Sequence, residues 1–218
     1  MQYGVVLSEL LREPGPTHSV ADVLAAAVHE LAPGPHVGLL GFEAGGLIAP
    51  LRALGAPHHV EAVDLTCRNV DLFHELTASW QGSVCVHRGD AWRWLRGQAG
   101  RFDMLIDDLS VLDECEVVKP PAVWETLPEL MHAALRPGGV ALFNLLEPQG
   151  LSWAAGLRRI CRPFASARVV VLDEFENRLV VAADRLPTAR ALSRRLRRAL
   201  HQLHSGLACA FHVRSLPG

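Results

Sequence analysis

The sequence has no apolar run approaching the ~18–20 residues that a membrane-spanning helix requires, so no such span is expected. Its five cysteines (Cys67, Cys85, Cys115, Cys161, Cys209) are scattered and lack C-x-x-C spacing. That excludes a disulfide framework and a cysteine zinc cluster, and it fits a reducing, cytoplasmic setting. The eleven histidines form no metal-ligand pattern; His58-His59 reads as a polar turn, and His201 with His204 amounts to half a site. No metal is expected. No Ser or Cys sits in a G-x-S-x-G elbow, which removes support for a hydrolase triad. The formal net charge of −2 gives no global field toward nucleic acid, and neither nucleic acid nor a membrane is expected as a partner. The opening stretch MQYGVVLSELLREPG meets charged residues too early for a signal peptide. The chain also lacks internal repeats and low-complexity segments.

What is present is organised around residues 36–64, HVGLLGFEAGGLIAPLRALGAPHHVEAVD. Residues 36–40 form a short apolar run of the kind a buried parallel strand needs. A glycine turn follows, from Gly41 through Phe42, Glu43, Ala44 and Gly45 to Gly46. Gly41 and Gly45 permit positive φ and close approach of a ligand to the backbone. Residues 47–54 read as a helix, although Pro50 interrupts its first turns. Residues 60–63 read as the second strand, with Asp64 at its C-terminal end. A carboxylate there can accept both hydrogen bonds of a ribose diol. The unit predicts a nucleoside ligand. Glu43 stands at the middle glycine of a dinucleotide fingerprint, where it would repel a pyrophosphate and attract the cationic groups of S-adenosylmethionine (SAM).

At 218 residues, half of them hydrophobic, the chain is expected to form one domain in three stretches: an N-terminal helical cap over 1–33, a nucleoside-binding region over 34–185, and a basic helix and tail over 186–218. In the cap, residues 2–12 read as a short helix or extended segment, and 20–31 as a helix capped by Thr17 or Ser19. Gly89-Asp90-Ala91 ends a third strand over 83–87, which places Asp90 at the same sheet edge as Asp64. A fourth strand, 104–106, ends at Asp107-Asp108. Neighbouring strand residues point to opposite faces, so only one of these carboxylates can face a pocket. Residues 111–121 read as an irregular acidic loop, and 136–139 as a tight turn into a fifth strand over 140–146. Asn144 and Glu147 lie near the end of that strand. Residues 167–172 and 178–183 read as a closing antiparallel hairpin. Residues 188–203 read as an amphipathic helix with Arg190, Arg194, Arg195, Arg197 and Arg198 opposite a leucine stripe that packs on the domain or on a second subunit. The last segment, 205–218, shows no clear pattern.

These motifs together resemble the class I SAM-dependent methyltransferases, closest to the spermidine-synthase-like branch. The first motif is Leu39–Gly46, the ribose acid Asp64 with Leu65 beside the adenine, and the adenine motif Gly89-Asp90-Ala91. The strand bearing the reaction-centre acid is FDMLIDD, which assigns that acid to Asp108, and the L-x-P-G-G turn is Leu135–Gly139. The resemblance implies an α/β, Rossmann-like doubly wound sheet of about seven strands, mostly parallel with the antiparallel closing hairpin. It implies SAM as cofactor, bound by Gly41, Phe42, Glu43, Gly45, Asp64, Leu65, Asp90, Ala91 and Asp108. Oligomeric state stays open at the level of sequence, with a homodimer as the favoured expectation. Aminopropyltransferases carry a second acid in the stretch after the catalytic strand, where this chain has Val111.

Three functions stay open at the level of sequence. The first is methyl transfer to a small-molecule acceptor, with an amine as one candidate and Asp108 as the catalytic base. The second is an aminopropyl-type transfer, or an intramolecular cleavage of SAM, releasing methylthioadenosine. The third is a non-catalytic nucleoside-binding or assembly protein.

Overall fold

Short apolar runs bounded by glycine and proline build most of the sheet. The structure, a computed structural model, describes residues 8–113 and 116–216. Expectations for residues 2–7, for Glu114 and Cys115, and for the last two residues lie outside those described. In chain order the first elements are α1 (Val20–Leu31), β1 (His36–Leu40), α2 (Ile48–Ala53), β2 (His59–Asp64), α3 (Val70–Thr77), β3 (Val84–Arg88), α4 (Ala91–Leu95) and β4 (Phe102–Asp107). Then come β5 (Val111–Asp113), β6 (Glu116–Val118), α5 (Leu127–Ala134), β7 (Leu135–Leu145), α6 (Trp153–Cys161), β8 (Ser166–Leu172), β9 (Arg178–Ala183), α7 (Ala189–Gln202) and β10 (Phe211–Ser215).

Among the described residues the main sheet has eight strands in the order β10-β8-β9-β7-β4-β1-β2-β3. The five strands from β7 to β3 run parallel, and β9, β8 and β10 add antiparallel pairs. The expectation of about seven strands is corrected to eight. The added strand is β10, whose residues Phe211 to Ser215 pair with Leu172 to Arg168. Its own pattern is weak because only Phe211 is buried, against α7 and the sheet.

Two apolar layers cover the sheet. One joins α1, α2, α3 and α7 to one face, with Val23, Leu51, Phe73, Leu192 and Leu196 at its centre. The other joins α4, α5 and α6 to the opposite face through Leu95, Leu127, Met131 and Ile160. Each fully buried side chain of this size contributes about 1.5–3 kcal/mol relative to exposure. The α7 stripe of Leu192, Leu196, Ala199 and Leu200 is buried, so the arginine-rich helix packs on the domain as expected. Arg198 pairs with Glu30 of α1 at 2.8 Å.

Two local expectations are corrected. The acidic stretch after β4 is not an irregular loop: β5 and β6 pair as an antiparallel hairpin, Val111 opposite Val118. The turn at 136–139 is absorbed into β7 as a bulge, with the register against β4 shifting between Phe102 and Met104. Gly138 takes φ +79° there, and pairing with β4 resumes at Val140 opposite Met104.

Candidate active site

Sheet order reverses between β1 and β4, and in open α/β sheets ligands bind outside the strand ends at such a switch point. The two strands deliver Gly41 and Asp108 there. Asp108 N–H donates to the Leu40 carbonyl at 2.8 Å, and Gly41 N–H to the Val63 carbonyl at 2.9 Å. A Cβ on Gly41 would stand 2.7 Å from the Asp108 carbonyl oxygen, and its φ is +86°. Only glycine lets the two chain exits come this close.

Beyond this point opens a cavity of about 580 Å³, within the range of small-molecule sites. Phe42, Glu43, Asp108, Lys119, Asn144 and Asn177 all line it. Asp108 is the expected reaction-centre acid, and it is half-buried at the cavity wall. Asn144 Nδ2 donates to Asp108 Oδ1 at 2.8 Å, and Asn177 Nδ2 donates to Asn144 Oδ1 at 2.9 Å. Burial pushes the Asp108 carboxyl up to about 6, against the pull of Lys119 and Asn144. A carboxyl poised there can accept a proton near neutral pH. Glu147 does not line the cavity, whereas Asn144 does.

Asp107 faces the other way and is fully buried. Lys119 Nζ lies 3.2 Å from its Oδ2 and also donates to the Leu109 carbonyl. Leu109 N–H donates to Asp107 Oδ1 at 3.0 Å. Burial raises the Asp107 carboxyl, while Lys119 and the Leu109 N–H act against it. The opposite orientation of the two aspartates follows from strand alternation. Lys119 is a residue that motif reading passes over. Its signal lies in composition: it is the only lysine, and every other one of the 21 Lys and Arg residues is arginine.

The remaining predicted ligand-binding residues form a shoulder beside the cavity. Asp64 Oδ2 accepts from Phe42 and Glu43 N–H, both at 3.0 Å. Its Oδ1 accepts from Thr66 N–H at 2.8 Å, Cys67 N–H at 3.1 Å and the Thr66 hydroxyl at 3.2 Å. Burial works to raise the Asp64 carboxyl, but the backbone N–H groups outweigh it and hold it below the usual range. Glu43 takes φ +51°, the left-handed conformation of a glycine position, and is held by its bond to Asp64. Burial and then Asp64 raise its carboxyl. Gly45, at φ +75°, has no room for a Cβ between the Phe42 and Phe73 rings. Gly89 N–H donates to the Asp64 carbonyl at 2.9 Å, which brings the Asp90 turn beside Asp64. Asp90 caps α4 by accepting from Arg93 N–H at 2.8 Å. Leu65 is 70% exposed and Ala91 is buried. Asp64, Leu65, Asp90 and Ala91 do not line the cavity; Glu43 connects the two regions.

The segment before α1 closes the cavity from above. Ser8 and Glu9 line it, and Ser8 Oγ accepts from Gly46 N–H at 3.1 Å. Trp80 Nε1 donates to the Arg12 carbonyl at 2.8 Å and fastens the segment further along. At its far end Thr17 and His18 N–H donate to buried Asp22 of α1, at 2.8 and 3.0 Å. Residues 8–11 adopt no regular helix, so the described part of this cap is an extended strap leading into α1.

This architecture recurs in solved structures of a methyltransferase-like protein, spermidine synthases and a putative O-methyltransferase. Human methyltransferase-like protein 13 in complex with SAH aligns over 86% of this chain and 92% of its own, with 20% identity and a TM-score of 0.63. A spermidine synthase in complex with the transition state analogue AdoDATO aligns over 78% of this chain at 16% identity, with a TM-score of 0.62. The chain has a class I methyltransferase fold. A putative O-methyltransferase from Klebsiella pneumoniae shares it at 13% identity, over 78% of this chain and 84% of that one, with a TM-score of 0.54. The match spans 62% of the spermidine synthase chain. No protein-family model and no curated protein sequence matches this chain. Among the described residues, no helix is long and apolar enough to cross a membrane.

Proposed function

We propose that this protein is a SAM-dependent transferase that moves a methyl group to a small-molecule acceptor. One observation carries the reading: a carboxyl poised near neutrality, Asp108, stands at the switch-point cavity beside the glycine turn. Bound there, SAM would supply a methyl group already activated on its sulfonium. The chain's own residues fit such a ligand by charge, since Glu43 offers a carboxylate to its cationic groups at the joint between cavity and shoulder. Asp64 is the ribose acid in this reading. The longest of its five bonds, 3.2 Å from the Thr66 hydroxyl, is the one a ribose hydroxyl would replace. Leu65, Asp90 and Ala91 would flank the base, and Gly41, Phe42 and Gly45 would shape the turn beneath it.

Asp108 then holds and deprotonates the acceptor. A positioned base contributes about 10²–10⁴-fold, and alignment of acceptor and donor can contribute roughly 7–11 kcal/mol more. Glu9, Glu43, Glu116 and Glu176 also line the cavity, which favours an amine among acceptors. The same acidity supports a second reading, aminopropyl-type transfer or cleavage within SAM, with methylthioadenosine as product. Against it, Val111 occupies the place of the second acid and is exposed on the hairpin.

The test is incubation of purified protein with SAM and a panel of amines and hydroxyl compounds, followed by mass spectrometry of the nucleoside product. S-adenosylhomocysteine above a no-enzyme control supports methyl transfer. Methylthioadenosine supports the second reading. Absence of SAM binding by calorimetry would overturn both and leave a non-catalytic role. In that role the Ser8–Gly46 bond and the internally satisfied Asp64 carboxylate would be permanent features of the site.

A further inference from the structure

The single lysine of this chain is buried at the cavity, bonded to the residues on both sides of Asp108 in sequence. Its side chain is 2% exposed and that of Asp107 is 0% exposed. Isolated burial of either charge would cost several kcal/mol, so a pair this deep persists only where the geometry satisfies both partners. Two of the three ammonium donors are used, one by Asp107 Oδ2 and one by the Leu109 carbonyl. An ammonium is a compact point charge on a flexible stem, and here it reaches both oxygens.

We propose that Lys119 is a positioning residue for Asp108. Clasping Asp107 and Leu109 fixes the chain exit that carries the Asp108 carboxyl into the cavity, and the buried cation opposes protonation of that carboxyl, which leaves it available as a base. The proposal rests on the reading of Asp108 as the base. The charged groups around Asp108 are Asp107 from β4, Lys119 from the end of the β5–β6 hairpin and Glu43 from the glycine turn. Glu9, Glu116 and Glu176 line the same cavity, and Asn144 supplies a neutral donor from β7. Lys119 is the one cation among them. The hairpin therefore delivers the charge that offsets the carboxylates.

The experiment is a pH titration of the Asp108 carboxyl by carbon-13 NMR, with the resonance assigned by its loss in Asp108→Asn. It needs neither SAM nor turnover. Failure to bind SAM would thus sink the transferase reading while leaving this inference to its own test. The wild-type midpoint is expected at about 6. Lys119→Met should raise it by one unit or more, about a tenfold gain in proton affinity. Lys119→Arg should stay within a few tenths of the wild type. Asp107→Asn removes the neighbouring negative charge and should lower it. A merely structural clasp would shift both neutralising variants in one direction. That result, or an unmoved midpoint in both, overturns the proposal. If Lys119→Met does not fold, Lys119→Arg and Asp107→Asn decide it alone, and a rise in either overturns it. Lysine labelled with carbon-13 at Cε gives one side-chain resonance, because there is one lysine. That resonance should follow the Asp108 midpoint and lose the step in Asp108→Asn.

Discussion

Asn144 holds Asp108 from β7 through a 2.8 Å bond to its Oδ1, and Asn177 fixes the Asn144 amide by donating to its oxygen at 2.9 Å. The relay links the exit of β4, strand β7 and the residue before β9, and it aims one donor at the carboxyl that the cavity wall would otherwise leave bare. A bond to the ionised form favours that form. Asn144→Ala is therefore expected to move the acidic limb of the pH–rate profile upward from about 6. Activity at pH 7 should fall several-fold, up to about tenfold, and recover by pH 9. An unchanged limb with reduced activity at every pH would show that Asn144 contacts the acceptor instead.

Asp108 also leaves a mark on stability. Its folded-state value of about 6 lies above the ordinary 3.8, so the fold prefers the protonated carboxyl. That preference stabilises fully below 3.8 and is lost as pH rises through about 6. Asp108→Asn keeps the bond from Asn144 and never acquires the charge. It is expected to be more stable than the wild type at pH 8 by about 1–3 kcal/mol, and nearly equal to it at pH 4. Thermal unfolding at the two pH values measures the difference, while SAM-dependent turnover should drop by about 10²-fold or more.

Gly41→Ala should be the most damaging single methyl in the site. The new Cβ would meet the Asp108 carbonyl oxygen at 2.7 Å, and the residue would keep a φ of +86°. Both obstacles are backbone, so neither side can yield by a rotamer change. A loss of about 2–4 kcal/mol is expected, together with loss of SAM binding by calorimetry. Retained binding with a small stability change would mean that the β1 and β4 exits can separate without harm.

Asp64→Asn probes the joint between shoulder and cavity. The carboxylate accepts four backbone N–H groups, and an amide must turn an NH₂ toward two of them. Loss of charge-assisted bonds predicts about 2–3 kcal/mol of destabilisation at pH 7. The carboxyl lies below its usual range, so its contribution is present above the unfolded value and fades as pH falls through the folded one. The gap between wild type and variant should therefore narrow as pH falls below the ordinary carboxylate range. A gap that stays open in acid would assign it to shape and not to charge.

Much of the fold was legible in the chain because its central strands are buried on both faces. The run HVGLL and the run RLVVAA are bounded by Pro35, Gly41 and Asn177, and each became a strand at the expected residues. The helix over 20–31 was readable from its 3.6-residue stripe and a cap at Thr17 or Ser19, and it lies where that pattern puts it, with Ser19 as the cap. Strand β10 was not legible, because its fit depends on a distant edge at β8 and on the buried face of α7. The β5–β6 hairpin was hidden for a similar reason. Its residues are acidic and short in run, and Lys119 at its end is seated by Asp107 and not by local preference.

By itself, the sequence determined the order of strand, glycine turn, helix and acid, and that one of the two aspartates closing the fourth strand faces a pocket. Those features are local, set by backbone sterics and by the periodicity of apolar residues. Tertiary structure alone decided which groups meet that carboxyl. Asn144 lies 36 residues away and Asn177 a further 33, and Lys119 reaches Asp107 across 12. Burial, the charge it forces to be paired, and the resulting shift of Asp108 are properties of packed neighbours, which no spacing within one segment encodes.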